Sequence, residues 1–314
     1  MRNRIVYAIT AAAVAIIVAA LLVVRFAGIP FPDAPVAETA KSGMLKIGIE
    51  PALYDVSEKI APVFSHYYPE ASVELETAAF ADLFNMFLQK KLRAVLVRGD
   101  LGEHERSLLL KQELDYRLEP VAKGAVVCIV NAANPVQSLG VGDLAEIYTG
   151  EKKIWDNVGK TGPAGGLGIK AYLNHDDIRL QQLLLERTAP AKRHLTAYRA
   201  SSDRELLDIV ARDKGAVGVI PLSQLADHLP FRQNASAVRV LPLSAGKNEQ
   251  AVMPTQYNVY HGKYPLGYII FYMYRKGEAL ASGFGAWLAD EGQKGFARTN
   301  LAPWKQPVRV IHLK

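Results

Sequence analysis

Between residues 45 and 97 the hydrophobic pattern switches four times between a two-residue period and a helical one, and this restricts the fold more than any other feature. Residues 45–49 alternate as a strand. Leu53, Val56, Ile60, Val63 and Phe64 then recur at helical spacing until Pro69 ends the run. Residues 72–76 alternate again, 81–90 form a second amphipathic helix, and 93–97 read as an apolar, buried strand. A β-α-β-α-β order builds an open, mostly parallel sheet with helices on its faces, hence an α/β fold. Ligands of such sheets gather at the carboxyl ends of the strands, where the N–H groups of the following helices point. Those ends are Glu50-Pro51-Ala52, Thr77-Ala78-Ala79 and Arg98-Gly99-Asp100.

The rest of the chain continues the alternation. Strands are expected at 121–131, 169–173, 216–220 and 268–274, and helices at 141–148, 176–187, 204–212 and about 279–298. Residues 159–168 form a glycine-rich loop, and Ser201-Ser202-Asp203 read as a helix cap. No repeat of fixed period is present.

Ahead of this body, residues 5–24 are apolar except for Tyr7 and Thr10. At about 1.5 Å per residue that run covers about 30 Å, the thickness of a bilayer core. Arg2 and Arg4 precede it, which leaves the N-terminus in the cytoplasm and the body outside. Its length favours an uncleaved signal anchor, a transmembrane helix over residues 1–28, over a cleaved signal peptide. Residues 29–43, with Pro30, Pro32 and Pro35, read as a semi-rigid stalk. Residues 44–314 carry 33 bases and 29 acids, a mild excess that suits a small anion and does not support a nucleic-acid partner. The single cysteine, Cys128, allows no internal disulfide and lies too far from the N-terminus for lipid attachment.

No catalytic signature is present: there is no Gly-x-Ser-x-Gly elbow, no HExxH, and no dinucleotide fingerprint after a strand. The expectation is a non-enzyme without a cofactor.

Several segments carry a family likeness. They are Val97-Arg98 with Leu101 and Glu105; Asn131-Ala132-Ala133-Asn134-Pro135-Val136 with Leu139; residues 144–155, reading LAEIYTGEKKIW; residues 216–220; Tyr264-Pro265-Leu266; and residues 286–293, reading AWLADEGQ. In this order they resemble the phosphate-binding, PstS-like branch of the type II periplasmic solute-binding proteins, over almost all of residues 44–305. The resemblance implies a two-lobed fold, with lobe 1 formed by residues 44–127 and 262–314 and lobe 2 by 128–261. It further implies a small anion, phosphate or a relative, bound in the cleft and delivered to an inner-membrane ABC transporter. Two turns depart from the family. Glu50-Pro51-Ala52 stands where a hydroxyl-rich turn is usual. Residues 173–179 lack the Ser-Gly-Thr that follows the family's second-lobe arginine. A sensor or scaffold module that captures another envelope membrane protein and no longer transports is the alternative.

The candidate ligand contacts are Arg98, Glu50, Ala52, Ala79, Asn174, Asp176 and Arg179. Arg98 offers a guanidinium fork at a strand's carboxyl end, or else pairs with Glu105 on the surface. Glu50 accepts a bond from a protonated ligand, binds an amine, or is a helix N-terminal acid favoured by the macrodipole. Asn174 and Asp176 read as ligand contacts or as N-caps. Arg179 replaces the family's missing arginine or is a solvated helical charge. His175 with Asp176 and Asp177 forms a minor metal-ligand candidate lacking further ligands nearby.

Overall fold

The computed structural model describes residues 38–156, 158–192, 194–225, 237–246 and 248–306. The expected membrane helix and most of the stalk lie outside these residues. Among the described residues no helix is long and apolar enough to cross a membrane.

The eight main strands are β1 (Gly43–Ile49), β2 (Ala71–Thr77), β3 (Ala94–Arg98), β4 (Tyr116–Asn131), β5 (Lys170–Asn174), β6 (Tyr198–Ala200), β7 (Ala216–Pro221) and β8 (Gly267–Arg275). They lie side by side in the order β2-β1-β3-β8-β4-β7-β5-β6, and two short strands, Val238–Val240 and Ala302–Pro303, also pair with β4. The helices are α1 (Tyr54–Tyr67), α2 (Phe80–Leu88), α3 (Glu103–Lys111), α4 (Val141–Tyr148), α5 (Ile178–Thr188), α6 (Asp203–Arg212), α7 (Gln256–Tyr260), α8 (Ala279–Leu288) and α9 (Gln293–Phe296).

The periodicity of each segment explains its burial. Alternate residues of β3 belong to different cores: Ala94 and Leu96 pack into the main core with Ile47, Ile60 and Phe64, while Val95 and Val97 pack against Leu83, Phe84 and Phe87 of α2. The sheet is therefore covered on both faces, as its apolar strands require. β1 pairs in parallel with β2 and β3, and β5 with β6 and β7; β8 runs antiparallel to both β3 and β4.

β4 is the structural spine of the two-lobed fold. Its residues from Tyr116 to Ala125 pair with β8, and those from Val126 to Val130 pair with β7. One uninterrupted strand thus belongs to both halves of the sheet. It begins at Tyr116, earlier than its apolar run, because β8 also pairs with residues 116–120, of which Arg117 is exposed and the others are half-buried. The expected helix over 279–298 is divided: α8 ends at Leu288, and the chain turns through residues 289–292 before α9. Gly292 packs so tightly that a Cβ there would lie 2.8 Å from the Leu288 Cα.

Candidate functional site

The carboxyl ends of β1, β3 and β5 meet at the seam between the two halves. Arg98, the last residue of β3, is only 2% exposed there, and Glu50, directly after β1, only 1%. Glu50 receives the Arg98 backbone N–H on Oε1 at 2.6 Å, and Nε and Nη2 of the same residue on Oε2 at 2.9 and 2.7 Å. The other edge of the guanidinium donates to Asp177, from Nη2 to Oδ1 at 2.6 Å and from Nη1 to Oδ2 at 2.9 Å. Two carboxylates from opposite halves of the sheet therefore clamp one arginine.

Asp177 is also the N-cap of α5, accepting the Leu180 N–H at 3.0 Å. Its carboxylate thus serves a helix N-terminus and a guanidinium together. Burial alone would favour loss of the Arg98 proton, but Glu50 and then Asp177 more than offset it and hold the pKa well above the ordinary arginine value.

A second arginine bolts the same seam. Arg179, 8% exposed on the first turn of α5, donates from Nε to the Arg98 carbonyl and from Nη2 to the Asp100 carbonyl, each at 2.6 Å. Its guanidinium also lies 4.7 Å from the centre of the Phe80 ring, a cation–π distance. The approach depends on Gly99. With φ +72, that residue adopts a left-handed conformation, and a Cβ on it would stand 3.1 Å from Arg179 Nη2 and 2.7 Å from Leu183 Cδ2. On the neighbouring turn, the Ala52 carbonyl accepts Ser223 Oγ at 2.6 Å and Gln224 Nε2 at 3.3 Å.

The candidate contacts therefore separate. Glu50, Arg98 and Arg179 come together, and Ala52 lies buried beside them through its carbonyl. Arg98 does not pair with Glu105 on the surface; its buried partners at the strand ends are stronger ones. Arg179 is not a solvated helical charge, because backbone carbonyls of the opposite half bind it. Glu50 precedes a short 3-10 helix, Pro51–Leu53, yet makes no cap bond; its oxygens face Arg98. Ala79 is exposed at the N-cap of α2. Asn174 bonds Asp203 and the Asp176 N–H, and Asp176 is exposed beside His175. The cap of α5 is Asp177, one residue beyond that pair. Among the described residues no three His, Cys, Asp or Glu side chains are placed to hold a metal. Asp177 is the central residue that sequence reasoning left out of the ligand set. Its position just before a helix signals a cap, and nothing local signals Arg98 as its partner.

A family model described as a PBP superfamily domain matches residues 34–291. The chain belongs to the PBP superfamily. Protein SphX of Synechococcus elongatus is 26% identical over 225 residues, 70% of this PBP-superfamily chain, which spans only 64% of the length of SphX. A protein from Clostridium perfringens solved with bound phosphate superposes with a TM-score of 0.67 at 18% identity, covering 84% of this chain and 100% of its own. An ABC-type phosphate transport receptor from Vibrio cholerae gives 0.64 at 16% identity, covering 82% and 99%. The solved structures share the two-lobed PBP fold. The likeness read from the sequence motifs is therefore sound, and the fold and relatives are those of substrate-binding proteins, not of enzymes.

Proposed function

We propose that this chain is a tethered, extracytoplasmic solute-binding protein that takes a small oxyanion, phosphate first, between its lobes and presents it to an inner-membrane ABC transporter. In this reading residues 1–28 are an uncleaved anchor and 29–43 a stalk. Lobe 1 comprises 44–127 with 262–314, and lobe 2 comprises 128–261. Arg98 carries the reading. It is a buried guanidinium at a strand's carboxyl end, placed in the seam, and its outward edge grips a carboxylate with the bidentate fork that also fits phosphate. Hinge motion between the lobes moves α5, whose cap Asp177 holds that edge, toward or away from it. Two relatives support the ligand class, one solved with bound phosphate and one described as a phosphate transport receptor. Arg98 is the principal ligand contact and Glu50 orients it. Ala52 and Arg179 hold the seam, while Ala79, Asn174 and Asp176 stand at its rim.

The second reading is a tethered sensor or scaffold. It is favoured by the charge balance of the seam, where Glu50 and Asp177 match Arg98 and Arg179 one for one. Isothermal titration of the full chain in detergent with phosphate at low salt separates the two. Micromolar or tighter binding that disappears in Arg98→Ala supports the carrier. A flat titration removes it and leaves the sensor or scaffold.

A further inference from the structure

We infer that Asp177 is a resident ligand: its carboxylate occupies the oxyanion seat on Arg98, and Tyr268 supplies the spare donor that an external tetrahedral oxyanion engages once Asp177 withdraws. The inference rests on the oxyanion reading of the cleft and assigns two residues that determine its affinity.

Arg98 has little left to offer a ligand. Four of its N–H groups are already used, two by each carboxylate, out of about five that a guanidinium carries. An incoming anion must therefore replace one of the carboxylates. Glu50 is the fixed one, since it also accepts the backbone N–H of Arg98 from the same half of the sheet. Asp177 is the removable one. It comes from the opposite half, its side chain is 10% exposed, and opening the seam carries it away with α5. While it stays, a carboxylate sits between a guanidinium and a helix N-terminus, the surroundings in which anions bind. Its departure leaves the remaining trio with one uncompensated positive charge, because Glu50 opposes both Arg98 and Arg179.

Tyr268 is the independent observation. The register of β8 places Ile270 opposite Arg98 and Tyr268 opposite Gly124. Paired residues, and residues two apart, share one face of a sheet, so the Tyr268 ring and the Arg98 side chain project from the same face. The ring lies over Gly124, where a Cβ would stand 2.5 Å from it and 2.8 Å from its hydroxyl. The hydroxyl is buried, the residue being 5% exposed, and it senses the charges of Arg98, Asp177 and Glu50. Yet it makes no hydrogen bond with any described group. Arg98 carries only donors, so a closer approach by Arg98 would still leave the hydroxyl proton without an acceptor. A buried, unspent donor beside an arginine is costly by itself and useful to an oxyanion.

The test compares phosphate titrations of the full chain with those of Asp177→Asn and of Asp177→Asn/Tyr268→Phe, with thermal melts to verify folding. Asparagine caps a helix as well as aspartate does, so α5 keeps its N-terminus. Asp177→Asn is expected to bind phosphate roughly tenfold or more tightly than the wild type. Adding Tyr268→Phe is expected to weaken that binding about fivefold, the worth of one hydrogen bond. If the wild type binds and Asp177→Asn binds equally or less well, the resident-ligand idea is overturned and the carrier reading stands. If the wild type is silent and Asp177→Asn binds, the resident ligand stands and the carrier reading fails. Silence from both overturns both. An unchanged affinity in the double variant removes Tyr268 from the seat.

Discussion

Replacing Arg98 by methionine keeps the unbranched apolar stem of the side chain and removes the charged guanidinium, which makes it a direct probe of what the seam contributes to the fold. Glu50 would lose two of its three donors and keep the backbone N–H of residue 98 at 2.6 Å. Asp177 would lose both guanidinium bonds and keep the Leu180 N–H at 3.0 Å. Removing one partner of a buried ion pair costs about 3–5 kcal/mol, because the remaining charge is left uncompensated. The retained backbone bonds, and the partial exposure of Asp177, place the expectation at the lower end, about 3 kcal/mol. For a body of this size that corresponds to a drop of roughly 6–12 °C in the melting temperature. Thermal or urea unfolding would be measured for the wild type, Arg98→Met, Glu50→Gln and the double variant. Arg98→Met and Glu50→Gln should not add: neutralising Glu50 relieves the burden left by the lost arginine, giving a coupling of about 1–3 kcal/mol. A loss below about 1 kcal/mol, or strict additivity, would show that the buried clamp does not hold the seam as the distances imply.

Gly99→Ala should destabilise by about 2 kcal/mol, combining left-handed strain with the push on Leu183 and Arg179; in an Arg179→Ala background the penalty should shrink, and an unchanged penalty would separate Gly99 from that contact. Burial pushes the Cys128 thiol up to about 12, so a thiol-specific reagent at pH 8 should leave it unlabelled in the folded chain and label it fully in urea; fast native labelling would contradict its burial. The sign of the linkage follows. The unfolded thiol ionises near pH 8.5 while the folded one stays neutral, so its contribution to stability falls by about 1.4 kcal/mol per pH unit from there toward pH 12, and Cys128→Ala should make alkaline denaturation less steep.

The strands that read clearly from sequence are those whose period and burial agree. β1, β3 and β7 carry apolar residues that face a core, and each was legible within a residue or two. Residues 116–120 were not, because Arg117, Glu119 and Pro120 hide an edge that β8 nevertheless pairs. The break between α8 and α9 was hidden by a continuing helical composition, although Gly292 marks it. At the site, Arg98 and Glu50 stood out because the alternation placed them at strand ends. Asp177 and Tyr268 did not. The first looks like any helix cap and the second like any core aromatic, and each gains its meaning from a partner distant in the chain. A guanidinium shared between residues 50 and 177 leaves no periodic trace, so local pattern reveals the scaffold before it reveals the pairings across it.

The spine strand also has a consequence for how the molecule comes into being. Any process that releases the chain from its N-terminus, whether synthesis or passage through a pore, delivers residues 116–131 well before their partners at 216–221 and 267–275. During that interval β4, the longest strand among the described residues, has both edges unpaired, the state most prone to stick to another chain. β3 is left waiting for β8 in the same way. The half of the sheet that begins the chain can therefore close only when nearly all of it has emerged. Folding yield should then be governed by how long β4 waits, and a holding chaperone should matter more to this protein than to one whose strands pair with their sequence neighbours.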